Sequence, residues 1–147
     1  MLFAVLTLGF VASGCSDNTA TPSTTQSSSG GDETTVDVAE KDFSIAVTPG
    51  TASTGRIKFK ITNSGPTTHE FVVFKTDLDP AALPLTTDGT AVNEEGAGVT
   101  HIDEREDITN GSTGTLTVAL QPGKYVMVCN LPTHYKLGMH APFTVSS

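Results

Sequence analysis

Tryptophan is absent from this sequence, and its 147 residues include only two cysteines and only eight lysines and arginines. Against these few bases stand sixteen acidic side chains, which leave a formal net charge of -8. A protein that binds nucleic acid needs basic surface to offset the phosphates, so this charge argues against nucleic acid as a partner. A disulfide between Cys15 and Cys129 would close nearly the whole chain, and each cysteine has a better separate explanation.

Long apolar runs are scarce as well. The run at residues 1–12, MLFAVLTLGFVA, is too short to span a bilayer as a stable helix and predicts the core of a signal peptide. It leads into VASGC at residues 11–15, which resembles the cleavage box of bacterial and archaeal lipoproteins, where a cysteine becomes lipid-modified. Alanine stands where leucine is commoner in that box, so an ordinary cleaved signal or an uncleaved anchor is the alternative. We expect residues 1–15 to be an export signal with Cys15 as the lipidation site.

Residues 16–33 consist mainly of Ser, Thr, Gly, Asp and Asn. Such a composition buries too little apolar area to fold, and it predicts a flexible polar tether. A tether after a lipidated cysteine would hold a folded domain, residues 34–147, off the membrane. The sequence therefore predicts an exported protein, periplasmic or at the cell surface, that a lipid anchors to the membrane.

From residue 34 onward, short alternating runs separated by Gly, Pro, Asn and Asp predict an all-β antiparallel sandwich. The clearest run is 56–62, in which Ile57, Phe59 and Ile61 are expected to face the core. Further strands are predicted at 36–38, 43–47, 70–75, 115–120, 125–129 and 143–145, and no helical stripe of useful length occurs among them. Met127 alternates within one of these runs and is expected to be a core residue.

The alternation fades at residues 77–110, which contain prolines, glycines and many acidic residues. This composition predicts a long loop or a weakly structured excursion, with His101 on its surface. The acidic residues are either a docking lobe for a partner or a solvated face, and composition does not separate the two.

The most informative stretch is CNLPTHYKLGM at residues 129–139, in which Cys129, His134 and Met139 recur at five-residue intervals. A thiolate, an imidazole and a thioether are the mixture of donors that suits copper cycling between Cu(I) and Cu(II). One loop cannot supply a whole rigid site, and His69 is the best candidate for a further ligand. It follows the NSGP turn at 63–66 and opens the apolar run FVVF at 71–74.

NSG at 63–65, HEF at 69–71 and the Cys-x4-His-x4-Met loop together resemble the cupredoxins, the small blue copper proteins, over residues 34–147. The resemblance implies a Greek-key β-sandwich with one type 1 copper ion and the activity of an electron carrier. His69, Cys129 and His134 carry over as the trigonal copper ligands, and Met139 carries over as the axial one. The sequence departs from the cupredoxin pattern at Thr133, because many cupredoxins have glycine directly before the histidine that corresponds to His134.

Three other functions were weighed against electron transfer. Zinc sites rarely recruit a methionine, so Met139 counts against zinc. A cysteine nucleophile paired with His134 would need an orienting residue such as Asn130, and it would leave Met139 unexplained. A periplasmic copper carrier or delivery protein is the strongest alternative, but exposed Met-rich or His-rich loops would be expected for it, and this chain has three methionines. We expect that the protein is not an enzyme.

Apolar residues surround His134 in the sequence and predict a docking face through which electrons enter and leave. They are Leu131, Pro132, Tyr135, Leu137, Ala141 and Pro142. The acidic remainder would steer a basic redox partner, such as a cytochrome. For His140, beside Met139, tuning of the site and contact with the partner both stay open. The sequence thus predicts a single-electron carrier at an extracytoplasmic membrane surface.

Overall fold

Most of the alternating runs of the sequence form β-strands, and residues 33–147 contain nine strands in two stacked sheets. The computed structural model describes residues 33–147. The strands are β1 (Thr34–Lys41), β2 (Ser44–Thr48), β3 (Thr51–Ser53), β4 (Gly55–Asn63), β5 (His69–Thr76), β6 (Val99–Ile108), β7 (Thr113–Leu120), β8 (Gly123–Val128) and β9 (His140–Ser146). One sheet has the order β2-β1-β4-β7 and the other β3-β9-β8-β5-β6. The predicted β-sandwich is confirmed, whereas the export signal, Cys15 and the tether up to residue 32 lie outside the described residues.

The direction of strand pairing differs from the expectation. β1 runs parallel to β4, and β3 runs parallel to β9, so both sheets are mixed and the prediction of an antiparallel sandwich was wrong for these pairs. Side-chain alternation reveals which face of a strand is buried, but it carries no information about the direction of the neighbouring strand. Pair direction follows from how the chain crosses between the two sheets.

The main core lies between the sheets and contains the residues that the alternation assigned to it. Ile57, Phe59 and Ile61 of β4 are fully buried, as is Met127 of β8. The ring of Phe59 packs against Phe71, with ring centroids 5.2 Å apart. Burial of these large apolar side chains is the main force that holds the two sheets together.

β5 is buried on both faces, which explains its unbroken apolar run. On its outer face, Val72 and Phe74 form a second cluster with Leu83, Val92, Val126, Val128 and Tyr135. Leu83 and Val92 belong to residues 77–98, which we call the cover segment. Residues 77–98 form a long loop, which was one of the two alternatives that the composition predicted, but this loop packs on the sheet and so is not weakly structured.

The last part of that predicted excursion is a strand. β6 spans Val99–Ile108 and pairs antiparallel with β5 at the edge of the larger sheet. Most of its side chains are exposed or only half buried. An edge strand with two largely polar faces shows no hydrophobic alternation, and for this reason the sequence pattern did not reveal it.

Helical structure within residues 33–147 is confined to a 3-10 turn, Tyr135–Leu137, in the loop between β8 and β9. The turn ends at Gly138, whose φ of 112° lies in the left-handed region that favours glycine. In this described part of the chain, no helix is long and apolar enough to cross a membrane.

The core also holds a carboxylic acid, Glu40 of β1. Its side chain is fully buried, and among the described residues neither of its carboxyl oxygens has a hydrogen-bond partner. Burial, together with the nearby Glu70 carboxylate, raises the pKa of Glu40 to about 8. The group is therefore protonated at neutral pH, because an ionised carboxylate without a partner is unstable in an apolar interior.

We expect Glu40→Gln to stabilise the protein at pH 8 and to change its stability little near pH 5. The folded pKa of about 8 lies above the ordinary value of 4.5, so the wild type loses stability as pH rises between them. Removing the ionisable group removes this loss, which is on the order of a few kcal/mol. Denaturant unfolding across this pH range measures it. The exposed Asp37→Asn on the same strand is the control, and a gap between Glu40→Gln and wild type that stays constant with pH would contradict the expectation.

Candidate metal centre

The pairing of β5 with β8 brings the first two predicted ligands together. His69 opens β5, Cys129 directly follows β8, and these two strands are neighbours in the larger sheet. Both side chains are fully buried. His134 reaches back from the loop after β8, so that its Nδ1 lies 3.3 Å from Cys129 Sγ and 3.3 Å from His69 Nδ1. The third side of the triangle, from Cys129 Sγ to His69 Nδ1, is 3.8 Å.

This triangle has the dimensions of a metal site. Nitrogen and sulfur donors that each lie about 2.0–2.3 Å from one ion, at angles near 110–120°, are separated by about 3.3–3.8 Å. The three observed separations, 3.3, 3.3 and 3.8 Å, agree with that range. Both imidazoles present the same atom, Nδ1, to the sulfur. The described residues therefore offer a thiolate and two imidazoles arranged around one point.

Met139 is connected to this triangle through the backbone. Its carbonyl accepts a hydrogen bond from the Cys129 N–H at 3.1 Å, and its own N–H donates to the His134 carbonyl at 3.1 Å. Its side chain is fully buried and belongs to the same inner cluster as Cys129. His140 packs elsewhere, with its ring against Tyr135 of the outer cluster at 5.3 Å. Met139 therefore packs in the inner cluster with Cys129, whereas His140 packs against the outer cluster.

The second nitrogen of His69 faces a carboxylate. His69 Nε2 lies 3.1 Å from Asp42 Oδ1, although the contact is poorly aligned for a hydrogen bond. The Thr67 hydroxyl lies 2.9 Å from both carboxylate oxygens of Asp42 and donates to that carboxylate. Histidines that bind a metal commonly hold their ring in place through the second nitrogen in this way. Burial acts to raise the pKa of Asp42, but the Thr67 hydrogen bonds and His69 outweigh it and lower the pKa.

The protonation states suit a site that is ready for a metal. Burial raises the pKa of the Cys129 thiol to about 12. Burial also lowers the pKa of His69 and of His134, while the Asp42 carboxylate opposes it in both cases. The imidazoles are therefore neutral at pH 7, and a metal that binds the sulfur must displace the thiol proton. A buried thiol with this pKa is a poor nucleophile at neutral pH, which counts against the cysteine-enzyme alternative.

Asn130, the residue that such an enzyme would need to orient its histidine, makes its hydrogen bonds elsewhere. Its Oδ1 accepts from the Val92 N–H at 2.6 Å. Its Nδ2 donates to the Val92 carbonyl at 3.1 Å and to Glu94 Oε1 at 2.9 Å. Asn130 therefore fastens the cover segment to the start of the ligand loop.

The ligand loop is also strained at Thr133. This residue has a φ of 73°, a left-handed conformation that is costly for a β-branched side chain. Its N–H donates to the Thr90 carbonyl at 2.7 Å, a contact with the cover segment that holds the residue in place. Glycine would adopt this conformation without strain.

His134 is the proposed ligand that is only partly buried. One exposed apolar side chain, Phe43, contacts its ring, and another, Leu137, follows it by three residues in the chain. Phe43 packs edge-on against the His134 ring at 5.1 Å and is 39% exposed, and Leu137 is 54% exposed. Pro132 and Pro142 are exposed too, but Tyr135 and Ala141, which the sequence assigned to this apolar face, are buried.

The sequence interpretation missed Asp42 and Phe43 as parts of the site. Both lie in the turn between β1 and β2, and Phe43 had been assigned to a strand that in fact begins at Ser44. They stand more than twenty residues before His69, and no local pattern marks them. The sequence offered one indirect signal for this region, Asn63-Ser64-Gly65, because this motif resembles the cupredoxins and its Gly65 lies against Asp42.

Asn63 is the centre of that motif and is fully buried. Its Nδ2 donates to the Thr67 carbonyl at 2.7 Å and to the Ile108 carbonyl at 2.8 Å, and its Oδ1 accepts from the Gly65 N–H at 2.8 Å. A Cβ on Gly65 would lie 2.8 Å from the Asp42 backbone nitrogen, so the close approach requires glycine. These contacts fix the turn that delivers His69.

We expect Asn63→Ala to lower the free energy of unfolding by about 2–5 kcal/mol, because several buried hydrogen-bonding groups lose their partner. Chemical denaturation of wild type and variant measures the change. Ser64→Ala is the control, since the Ser64 hydroxyl makes a longer hydrogen bond of 3.3 Å to the Glu40 carbonyl. Equal losses in the two variants would show that the amide of Asn63 does not hold the turn.

The chain resembles known proteins over most of its length. A family model described as a cupredoxin-like domain matches residues 4–141. Dithionite-reduced auracyanin from the photosynthetic bacterium Roseiflexus castenholzii is 26% identical, with a TM-score of 0.58 over 78% of this chain and 98% of that one. The comparison with curated proteins gave no match.

Two further solved structures share the fold at lower identity. Auracyanin A from Chloroflexus aurantiacus, described as a "blue" copper protein, is 18% identical, with a TM-score of 0.52 over 78% of this chain and all of that one. Rusticyanin is 17% identical, with a TM-score of 0.56 over 78% of this chain and 77% of that one. Because the family model spans most of the sequence and the fold agrees with it, the chain belongs to the cupredoxin-like family.

Proposed function

We propose that this protein is a single-electron carrier that holds one type 1 copper ion with His69, Cys129, His134 and Met139. The observation that carries the proposal is the buried triangle of one sulfur and two Nδ1 atoms, 3.3–3.8 Å apart. A trigonal set of one cysteine and two histidines with a weak axial methionine is the ligand set of blue copper sites. Copper in this site would supply a one-electron Cu(II)/Cu(I) couple.

The surroundings of the ligands favour electron transfer over the delivery of copper. His69, Cys129 and Met139 are all fully buried, and a delivery protein needs ligands that a partner can reach. The turn at Asn63 and the contact with Asp42 hold His69, while the cover segment holds the loop. A site held from several sides changes little between two oxidation states, which favours fast electron exchange.

His134 is the expected route for electrons, because it is the ligand that is only partly buried. The exposed Phe43 and Leu137 offer an apolar contact for a redox protein. The net charge of -8 would attract a basic partner, such as a cytochrome, and so speed up its encounter with this face.

We further propose that the protein works at an extracytoplasmic membrane surface, anchored through a lipid on Cys15. The support is in the sequence: an apolar leader at 1–12, small residues before Cys15, and a polar stretch at 16–33. A flexible tether would let the domain search for partners close to the membrane.

The copper-loaded protein should show an intense visible band from thiolate-to-copper charge transfer, with one copper ion per chain. Cys129→Ser and His69→Ala should abolish the band, whereas Met139→Gln should keep it and lower the reduction potential. The reason is that the thiolate and imidazoles dominate copper affinity, while the axial ligand chiefly tunes the potential. Absorption spectra, metal analysis and voltammetry in one buffer test all three variants.

Two results would count against the ligand assignment. A coloured Cys129→Ser protein would remove the type 1 site from the proposal. A potential that Met139→Gln leaves unchanged within error would remove Met139 as the axial ligand. Met127→Leu is a matched control for Met139→Gln, since Met127 is also fully buried but lies within β8 and is not one of the proposed ligands.

Expression of the full sequence in a bacterium tests the anchor. The wild type should partition with membranes, and Cys15→Ala should release the protein or block its processing, because the thiol that accepts the lipid is gone. Cell fractionation followed by mass spectrometry of the amino terminus measures this. Equal membrane association of the two forms would refute the lipid anchor and would leave the copper proposal untouched.

A further inference from the structure

A β-bulge on the edge strand β6 places two potential metal ligands on one face. His101 lies opposite Phe74 and Glu104 opposite Val72, while Ile102 has no partner because the register shifts between them. In a regular strand, residues three apart point to opposite faces, since side chains alternate. Here both pair with outward-facing residues of β5, so His101 and Glu104 share the outer face. Bulges commonly re-aim side chains in this way near functional sites.

A third ligand comes from the cover segment. Glu94 Oε2 lies 3.9 Å from His101 Nε2, and Glu104 Oε2 lies 3.6 Å from the same nitrogen. One donor atom from each of the three residues can be chosen so that all lie within 4.8 Å of one another. These separations are too long for hydrogen bonds. The 3.6 Å distance is at the upper end of the roughly 3.0–3.6 Å expected between oxygen and nitrogen donors about 2.0–2.2 Å from one ion, and the 3.9 Å distance lies slightly beyond it.

A hydrogen bond from Asn130 fixes the orientation of the Glu94 carboxylate. Its other oxygen, Oε1, accepts a hydrogen bond of 2.9 Å from Asn130 Nδ2. Asn130 is itself held by two hydrogen bonds to the backbone of Val92. In Glu94, an amide thus holds one carboxylate oxygen, Oε1, while the other oxygen, Oε2, faces His101. A metal-binding carboxylate and the residue that supports it have this arrangement.

Among residues 33–147, no lysine or arginine forms an ion pair with Glu94 or Glu104. In that part of the chain, the ion pairs that involve Glu94 or Glu104 are those with His101. The nearest basic residue in sequence, Arg105, packs its side chain against Gly114 of β7 instead, with Cγ 3.2 Å from the position of a Cβ there. A bound cation would offset the charge of the two carboxylates.

We propose that Glu94, His101 and Glu104 bind a divalent transition-metal cation of the zinc type, at a site separate from the copper ligands. Two carboxylates with one imidazole are donors that suit Zn²⁺ and leave positions open for water. The ion would tie the cover segment to the edge strand of the sheet. Since Asn130 directly follows Cys129, it would also steady the start of the ligand loop. The site does not depend on the proposed copper function.

Calorimetric titration of the copper-loaded protein with zinc chloride at pH 7 tests the proposal. The wild type should bind one Zn²⁺ per chain, and His101→Ala and Glu104→Gln should each weaken this binding at least tenfold. Asp103→Asn is the matched control, because it removes one charge from the same strand on the side that faces away from Glu104. It should bind zinc as the wild type does, and the visible copper band should be the same in all four proteins.

Zinc could also bind at the proposed copper ligands. Neither Glu104→Gln nor Asp103→Asn changes a copper ligand, so a difference in zinc affinity between these two variants reports on the proposed zinc site alone. Zinc should also raise the unfolding temperature of the wild type and of Asp103→Asn, but not that of Glu104→Gln, since a ligand stabilises the fold that binds it. Equal zinc affinity in these two variants, or no zinc uptake by the copper-loaded wild type, would overturn the proposal.

Discussion

The hydrogen-bonded pairing of β5 with β8 is the constraint on which the rest of this structure depends. It sets His69 at the start of one strand beside Cys129 at the end of the next, although sixty residues separate them in the chain. The sandwich buries both side chains, so a thiol and a neutral imidazole meet where water is excluded. His134 completes the triangle from the loop after Cys129, at the residue directly before the 3-10 turn. A metal site of this kind needs little change in the protein on binding.

The cover segment gives that loop its rigidity. Tyr135 accepts a hydrogen bond from the Leu83 N–H at 2.8 Å and donates one to the Pro80 carbonyl at 2.9 Å. Asn130 bonds Val92, and Thr133 bonds Thr90, so three positions of the loop are fastened to one segment. The bond between Leu83 and Tyr135 is buried, so it satisfies polar groups that would otherwise lack a partner. The segment also shields the outer face of β5, which is why that strand can be apolar on both sides.

Charge is distributed unevenly over the molecule. Among residues 33–147, the buried carboxyl group of Glu40 has no hydrogen-bond partner. Burial, with the carboxylates of Glu104 and Glu94, raises the pKa of Glu70 to about 7. The acidic residues of β6 and the cover segment thus do more than keep the protein in solution, since they set the electrostatic surroundings of one side of the ligand loop. The exposed apolar side chains, Phe43 and Leu137, belong to the turn between β1 and β2 and to the ligand loop, and neither is part of the cluster of Glu94, His101 and Glu104.

The sequence by itself determined the donors and the spacing of the ligand loop, the buried alternation of β4 and the all-β class. Chemistry and periodicity are local properties of neighbouring residues, and they can be read without knowing the fold. Tertiary structure alone decided the parallel pairing of β1 with β4, the edge strand β6 and the packing of the cover segment. It also decided that Asp42 and Phe43 join the site and that a bulge aligns His101 with Glu104. These features arise between segments far apart in the chain, where the burial of the whole molecule selects the contacts.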